Sequence, residues 1–105
     1  MAEENKDESY DVIVIGSGLS GLFSALLLAR AGKKVCILEK NQQYGGNLQT
    51  FKRNHILFDT GVHYVGSLSE GQVLYEYFKE AGIMQDLSLE RLDLNGYDRI
   101  CFGDT

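Results

Sequence analysis

Three glycines at fixed offsets carry the clearest chemistry in this chain. They stand in Gly16-Ser17-Gly18-Leu19-Ser20-Gly21, directly after the β-branched run Val12-Ile13-Val14-Ile15 and directly before a stretch of helix formers. In that context each glycine has its own task. Gly16 permits a tight turn, Gly18 lets backbone approach a pyrophosphate, and Gly21 lets a helix press onto a strand. Free N–H groups around Leu19 and Ser20 then point at phosphate oxygens from the positive end of the helix. Such sites place an acid about 20 residues further on to accept hydrogen bonds from a ribose, and Glu39 stands 18 positions after Gly21. Lys40 follows it and is grouped with it as a cofactor-binding candidate, as Ser17 is with the glycines. The Glu39 carboxylate repels a 2′-phosphate, which argues against NADP. The bland alternative is a ligand-free glycine turn with Glu39 as a solvated strand end. It leaves unexplained why strand, helix, second strand and acid share one register. The spacing does not separate FAD from NAD, because both present the same adenosine half.

Other residue types with chemical potential have simpler roles. His63 offers a proton near a bound ligand, but a buried histidine bonded to backbone is the expected part. His55 falls in a polar turn and is expected at the surface, and Tyr64 is expected to pack. Cys36 sits within an apolar strand, where a small inert core residue suffices. Asp59 is placed to fix the following turn through its carboxylate. Cys36 and Cys101 stand 65 positions apart, which makes neither a disulfide framework nor a metal pair, and no metal site is expected.

These residues need elements to hold them. Tyr10 to Ile15 reads as a strand buried on both faces, the kind found in parallel sheets. Leu19 to Ala31 reads as a largely buried helix, with Gly32 as its left-handed stop and Lys33 and Lys34 near the negative end of its dipole. Val35 to Leu38 is a second short strand ending at Glu39, which completes a βαβ unit. Leu48 to Phe51 and Ile56 to Phe58 are expected to form a hairpin around Lys52-Arg53-Asn54-His55. Val73, Leu74, Tyr77, Phe78 and Ala81 recur at helical spacing, so Gly71 to Ala81 reads as an amphipathic helix whose aromatic stripe faces a core. Arg91 to Leu94 and Tyr97 to Phe102 flank Asn95-Gly96, a type I′ turn signal, and are expected to pair as a C-terminal β-hairpin.

Composition narrows the class. The chain has 105 residues, 44% of them apolar and 24% charged, which fits one globular domain at most. Its 12 glycines and absent prolines leave the turns largely to glycine. Of the formal net charge of −5, a sum of −3 lies in residues 1–9, read as an acidic flexible leader. Without a basic patch, nucleic-acid binding has no electrostatic footprint. No apolar run approaches a membrane span, and the N-terminus is acidic where a signal peptide is basic. With cysteine usage that fits a reducing compartment, the expected location is cytoplasmic.

Residues 11–66 resemble the N-terminus of FAD-dependent oxidoreductases that include phytoene desaturases, amine oxidases and all-trans-retinol 13,14-reductases. The stretch DVIVIGSGLSGLFSALLLARAGKKVCILEK is shared by all of these flavoproteins. More specific are Tyr44-Gly45-Gly46 and the run Phe58-Asp59-Thr60-Gly61-Val62-His63-Tyr64-Val65-Gly66, similar to the retinoid and carotenoid branch. The resemblance implies that Gly16, Gly18 and Gly21 line an FAD pyrophosphate and that Glu39 holds the adenosine ribose. It implies further that Gly45 and Gly46 bring backbone close to the cofactor, with Gly61 nearer the flavin ring. Amine oxidases carry arginines on both sides of the glycine pair, where this chain has Gln43 and Asn47. That departure argues against an amine substrate.

The resulting reading is an α/β, Rossmann-type FAD-binding βαβ domain, incomplete, covering residues 10–105 without a substrate domain. Its implied function is that of the front part of a flavin-dependent oxidoreductase acting on carbon–carbon bonds of an apolar, polyene-like molecule. A second electron donor or acceptor is required, the catalytic residues are not assigned, and peripheral membrane contact of the full-length protein stays open. Alone, this portion is expected to be inactive. Two rival readings remain: a nicotinamide dehydrogenase with NAD on the same βαβ unit, and a non-enzymatic protein like the Rab GDP-dissociation inhibitors. The latter resemble these flavoproteins and keep a YGG segment but lack the third fingerprint glycine, present here as Gly21.

Overall fold

Consecutive β-branched residues favour extended backbone, and Val12–Ile15 forms strand β1 in the computed structural model, which describes residues 8–103. Helix α1 spans Leu19–Arg30 and strand β2 spans Val35–Leu38. β1 and β2 pair in parallel, with Val12 beside Val35 and Ile15 beside Leu38. The helix between them packs on both strands, which gives the expected βαβ unit. Gly32, at φ +84°, ends α1, and the N–H groups of Gly32 and Lys33 turn back to the carbonyls of Ala29 and Leu28 at 3.0 Å each. Those two bonds satisfy carbonyls that the last helical turn leaves open.

The burial of this unit differs from the sequence expectation. β1 is half-buried on one face only, while Ile13 and Ile15 are 59% and 87% exposed. In α1 only Ala25 is fully buried. A parallel strand is covered on both faces only when something packs on each, and here α1 covers one. The radius of gyration, 18.7 Å, exceeds the roughly 13 Å of a compact domain of this length, so the elements do not close around a common core.

Strands β3, Thr50–Arg53, and β4, Ile56–Asp59, form the expected antiparallel hairpin. Its first strand starts two residues later than the sequence suggests, because Gly46–Leu48 is wound into a 3₁₀ turn. The two-residue loop is Asn54-His55, with φ of 50° and 64°, the double positive φ of a type I′ turn. Phe51 and Phe58 sit opposite each other and stack at 5.3 Å.

Helix α2 covers Val73–Glu80 and is followed by a 3₁₀ turn at Met84–Asp86. Its aromatic stripe meets α1, with Phe78 and Tyr77 at 6.2 and 6.5 Å from Phe23. Phe78 is half-buried and Ala81 fully buried, whereas Tyr77 stays exposed. The C-terminal hairpin does not form: residues 91–103 contain no strand. Asp93 instead accepts the Asn95 N–H on its side chain at 2.9 Å, and neither Asn95 nor Gly96 has positive φ. This local Asx turn competes with the tight hairpin turn. The flanking Leu94, Ile100 and Phe102 are 77%, 77% and 81% exposed, so the strands lack the packed face that stabilises a two-stranded pair. Most of the acidic leader, residues 1–7, lies outside the described residues.

Candidate dinucleotide-binding site

The chain leaves β1 through Gly16, at φ +100°, whose N–H donates to the Leu38 carbonyl of β2 at 2.8 Å. This bond anchors the glycine turn to the end of the sheet. Gly18 then serves as the N-cap of α1 and offers no side chain to satisfy the first-turn N–H groups. No acidic residue occupies that turn either. An uncapped helix start presents donors and a positive dipole end to any anion placed before it.

The third glycine works as the spacing implies. A Cβ on Gly21 would collide with the Gly16 carbonyl oxygen, and it would also stand 3.1 Å from the Gly16 carbonyl carbon and 3.3 Å from Val14 Cγ1. Helix and strand are therefore in contact at the one position where a side chain would hold them apart. At Gly18 the opposite holds, since no protein atom lies within 4 Å of where its Cβ would stand.

A cavity of about 620 Å³ opens on this turn. Gly16, Gly18, Leu19, Ser20 and Gly21 form one wall, and Gly46 forms part of another. Sequence reasoning did not single out the remaining wall residues, Ile15, Asn47, Leu48 and Val62 as ligand contacts. Each adjoins a motif that was read: Ile15 precedes Gly16, Asn47 and Leu48 follow Gly46, and Val62 follows Gly61. Adjacency to the glycines was the available signal.

Five candidates stand outside the wall: Ser17, Gly45, Gly61, Lys40 and Glu39. Ser17 is 2% exposed and Gly45 is buried behind the turn, where the Gly45 N–H donates to both the carbonyl and the hydroxyl of Ser17 at 3.0 and 3.2 Å. That contact brings the second glycine pair onto the first: a Cβ on Gly46 would lie 3.0 Å from Gly18 Cα. Gly61 packs against Asn47, with its Cβ position 3.2 Å from Asn47 Cβ. Lys40 is exposed, and its backbone N–H leans toward the Glu39 carboxylate.

Glu39 sits at the tip of β2, and the fingerprint turn holds its carboxylate. Oε2 accepts the Ser17 N–H at 3.1 Å and the Ser17 hydroxyl at 2.5 Å, and Oε1 accepts the Asn41 N–H at 3.0 Å. The Ser17 hydroxyl bond above all, then the two N–H groups, favours the charged form and lowers the Glu39 pKa from 4.5 to about 2. The carboxylate is thus ionised at neutral pH and keeps a lone-pair direction for a hydroxyl donor.

Of the other residues, Cys36 lies on β2 as expected but is half-buried rather than in a core, and His55 is exposed in the hairpin turn. His63 is exposed rather than buried, edge-on to Tyr64 at 4.7 Å, which itself meets Tyr97 at 5.7 Å. The segment after β4 lies on the surface, so backbone does not enclose the imidazole. The cavity, the uncapped helix start and the open space at Gly18 lie together at the end of β1.

Residues 14–81 match the model of the NAD(P)-binding Rossmann-like domain family. The chain belongs to that family. Within it, the chain is 50% identical over 66 residues to human all-trans-retinol 13,14-reductase, a match covering 63% of this chain and 11% of the relative. It is 44% identical over 50 residues to 4,4'-diapophytoene desaturase (4,4'-diaponeurosporene-forming) of Staphylococcus haemolyticus, covering 48% of this chain and 10% of the relative. It is 34% identical over 92 residues to the flavin-containing amine oxidase A of Equus caballus, covering 87% of this chain and 16% of the relative. The resemblance to retinoid and carotenoid oxidoreductases, read from the glycine motifs, holds. This Rossmann-like chain spans about a tenth of the length of the first two relatives. Among its described residues, no helix is long and apolar enough to cross a membrane.

Proposed function

We propose that this Rossmann-like chain forms the FAD-binding front portion of a flavin-dependent oxidoreductase that acts on carbon–carbon bonds of an apolar, polyene-like substrate. The observation that carries the reading is the cavity at the uncapped start of α1, where Gly18 leaves room for a pyrophosphate and Gly46 closes over the same turn. A bound flavin would supply hydride-transfer chemistry between the substrate and a second electron donor or acceptor. The chain's own residues bind and orient. The N–H groups of Leu19 and Ser20 meet the phosphates, Glu39 accepts a hydrogen bond from the adenosine ribose, and Gly45 and Gly46 hold the second loop against the turn. Gly61 sets the segment that carries Val62 into the cavity wall. Lys40, beside Glu39, lies at the adenosine end.

The retinoid and carotenoid names of the more identical relatives support the polyene substrate. Gln43 and Asn47, in place of flanking arginines, weigh against an amine. The cytoplasmic setting rests on cysteine usage alone, Cys36 and Cys101 standing 65 positions apart in apolar stretches.

One observation favours a second reading: the matched family is described by NAD(P). An absorbance spectrum of the purified full-length protein separates the two. A yellow protein with flavin bands supports FAD. A colourless protein that is stabilised against heat by NAD, and not by FAD, supports the dehydrogenase.

A further inference from the structure

Ser17 is the one buried polar side chain among the described residues. Its hydroxyl donates to Glu39 Oε2 and accepts, at 3.2 Å, part of the N–H of Gly45. Three segments therefore meet on one oxygen: the glycine turn after β1, the tip of β2, and the Tyr44-Gly45-Gly46 loop. Without the hydroxyl, the Ser17 backbone would still hold one bond to Glu39 and one to Gly45. Oε1 would keep the Asn41 N–H and Oε2 the Ser17 N–H, but the carboxylate would lose its shortest hydrogen bond and its one link, through the hydroxyl, to the Gly45 loop.

We propose that Ser17 is a positioning residue for dinucleotide binding: it does not touch the cofactor, but its hydroxyl aims the Glu39 carboxylate at the ribose and seats the Gly45 loop on the fingerprint turn. This rests on the FAD reading of the site. The geometry gives the residue between the first two glycines a task of its own, separate from the phosphate contacts of its neighbours.

The test is a double-mutant cycle on the full-length protein, stripped of flavin and titrated with FAD between about pH 2 and pH 8, using Ser17→Ala, Ser17→Cys, Glu39→Gln and Ser17→Ala with Glu39→Gln. Ser17→Ala is expected to weaken FAD binding about tenfold. Ser17→Cys, nearly isosteric but a weak donor, should weaken it similarly while preserving packing. The double variant should lose less than the sum of the two single losses, because the part of the Ser17 effect that passes through Glu39 is already gone. In Ser17→Ala, the fall of FAD affinity on acidification should also shift to higher pH, because a carboxylate without the hydroxyl bond protonates more readily. Additive losses in the double variant, or an unmoved acid midpoint, would overturn the positioning role while leaving the FAD reading intact. A wild-type protein that binds no FAD would overturn both.

Discussion

The Ser17 hydroxyl and Glu39 Oε2 lie 2.5 Å apart, joining the glycine turn to the acid at the end of β2 across 22 positions of chain. The two residues that a dinucleotide site asks for separately, a turn and an acid, are thus a single hydrogen-bonded unit.

Glu39 should titrate near pH 2. Its folded pKa is depressed from 4.5 to about 2. Its contribution to stability is therefore fully present above about pH 4.5 and lost as pH falls toward 2. Carbon-detected NMR titration of the Glu39 carboxyl checks this directly. A midpoint near 4.5 would mean that the Ser17 bond does not persist in solution.

Gly21→Ala should destabilise the βαβ unit by about 1–3 kcal/mol, the usual cost of forcing extra volume into a tight contact. The added methyl meets the Gly16 carbonyl, so α1 must lift from β1. Urea denaturation of the full-length protein measures the change, and an unaltered midpoint would argue that the helix is not seated as described.

Gly18→Val should do the reverse. The position has extended backbone, φ −70° and ψ −178°, and open space around it, so stability should fall by no more than about 1 kcal/mol, the cost of a β-branched residue at the N-cap. Flavin retention should be abolished, because the side chain fills the place of the pyrophosphate. The ratio of flavin to protein absorbance reports it, and normal flavin content would remove the cradle from this turn.

His55→Gly should slow amide hydrogen exchange across Thr50–Asp59. His55 holds φ at 64°, which disfavours a residue with a Cβ, and relieving it is expected to add about 0.5–1 kcal/mol to hairpin stability. Faster exchange would show that the imidazole makes a contact that outweighs the relief.

The βαβ unit, its glycine fingerprint and the place of Glu39 were legible in the sequence because each depends on neighbours along the chain. β-branched runs extend, leucine and alanine wind, and Gly32 stops the helix wherever the chain places them. The Asn95-Gly96 signal was just as local and misled, because the Asp93 carboxylate captured the Asn95 N–H and no apolar face supported the flanks. Asn54-His55, the weaker signal, made the tight turn, with Phe51 stacked on Phe58 across it. What only the tertiary structure decided was the meeting of residues 17, 39 and 45. The Gly45 N–H on Ser17 and the Gly46 backbone against Gly18 join segments 28 residues apart. Periodicity reports which way a residue faces within its own element. It carries no information about which distant backbone will arrive against it, and that arrival buried Ser17 and shaped the cavity.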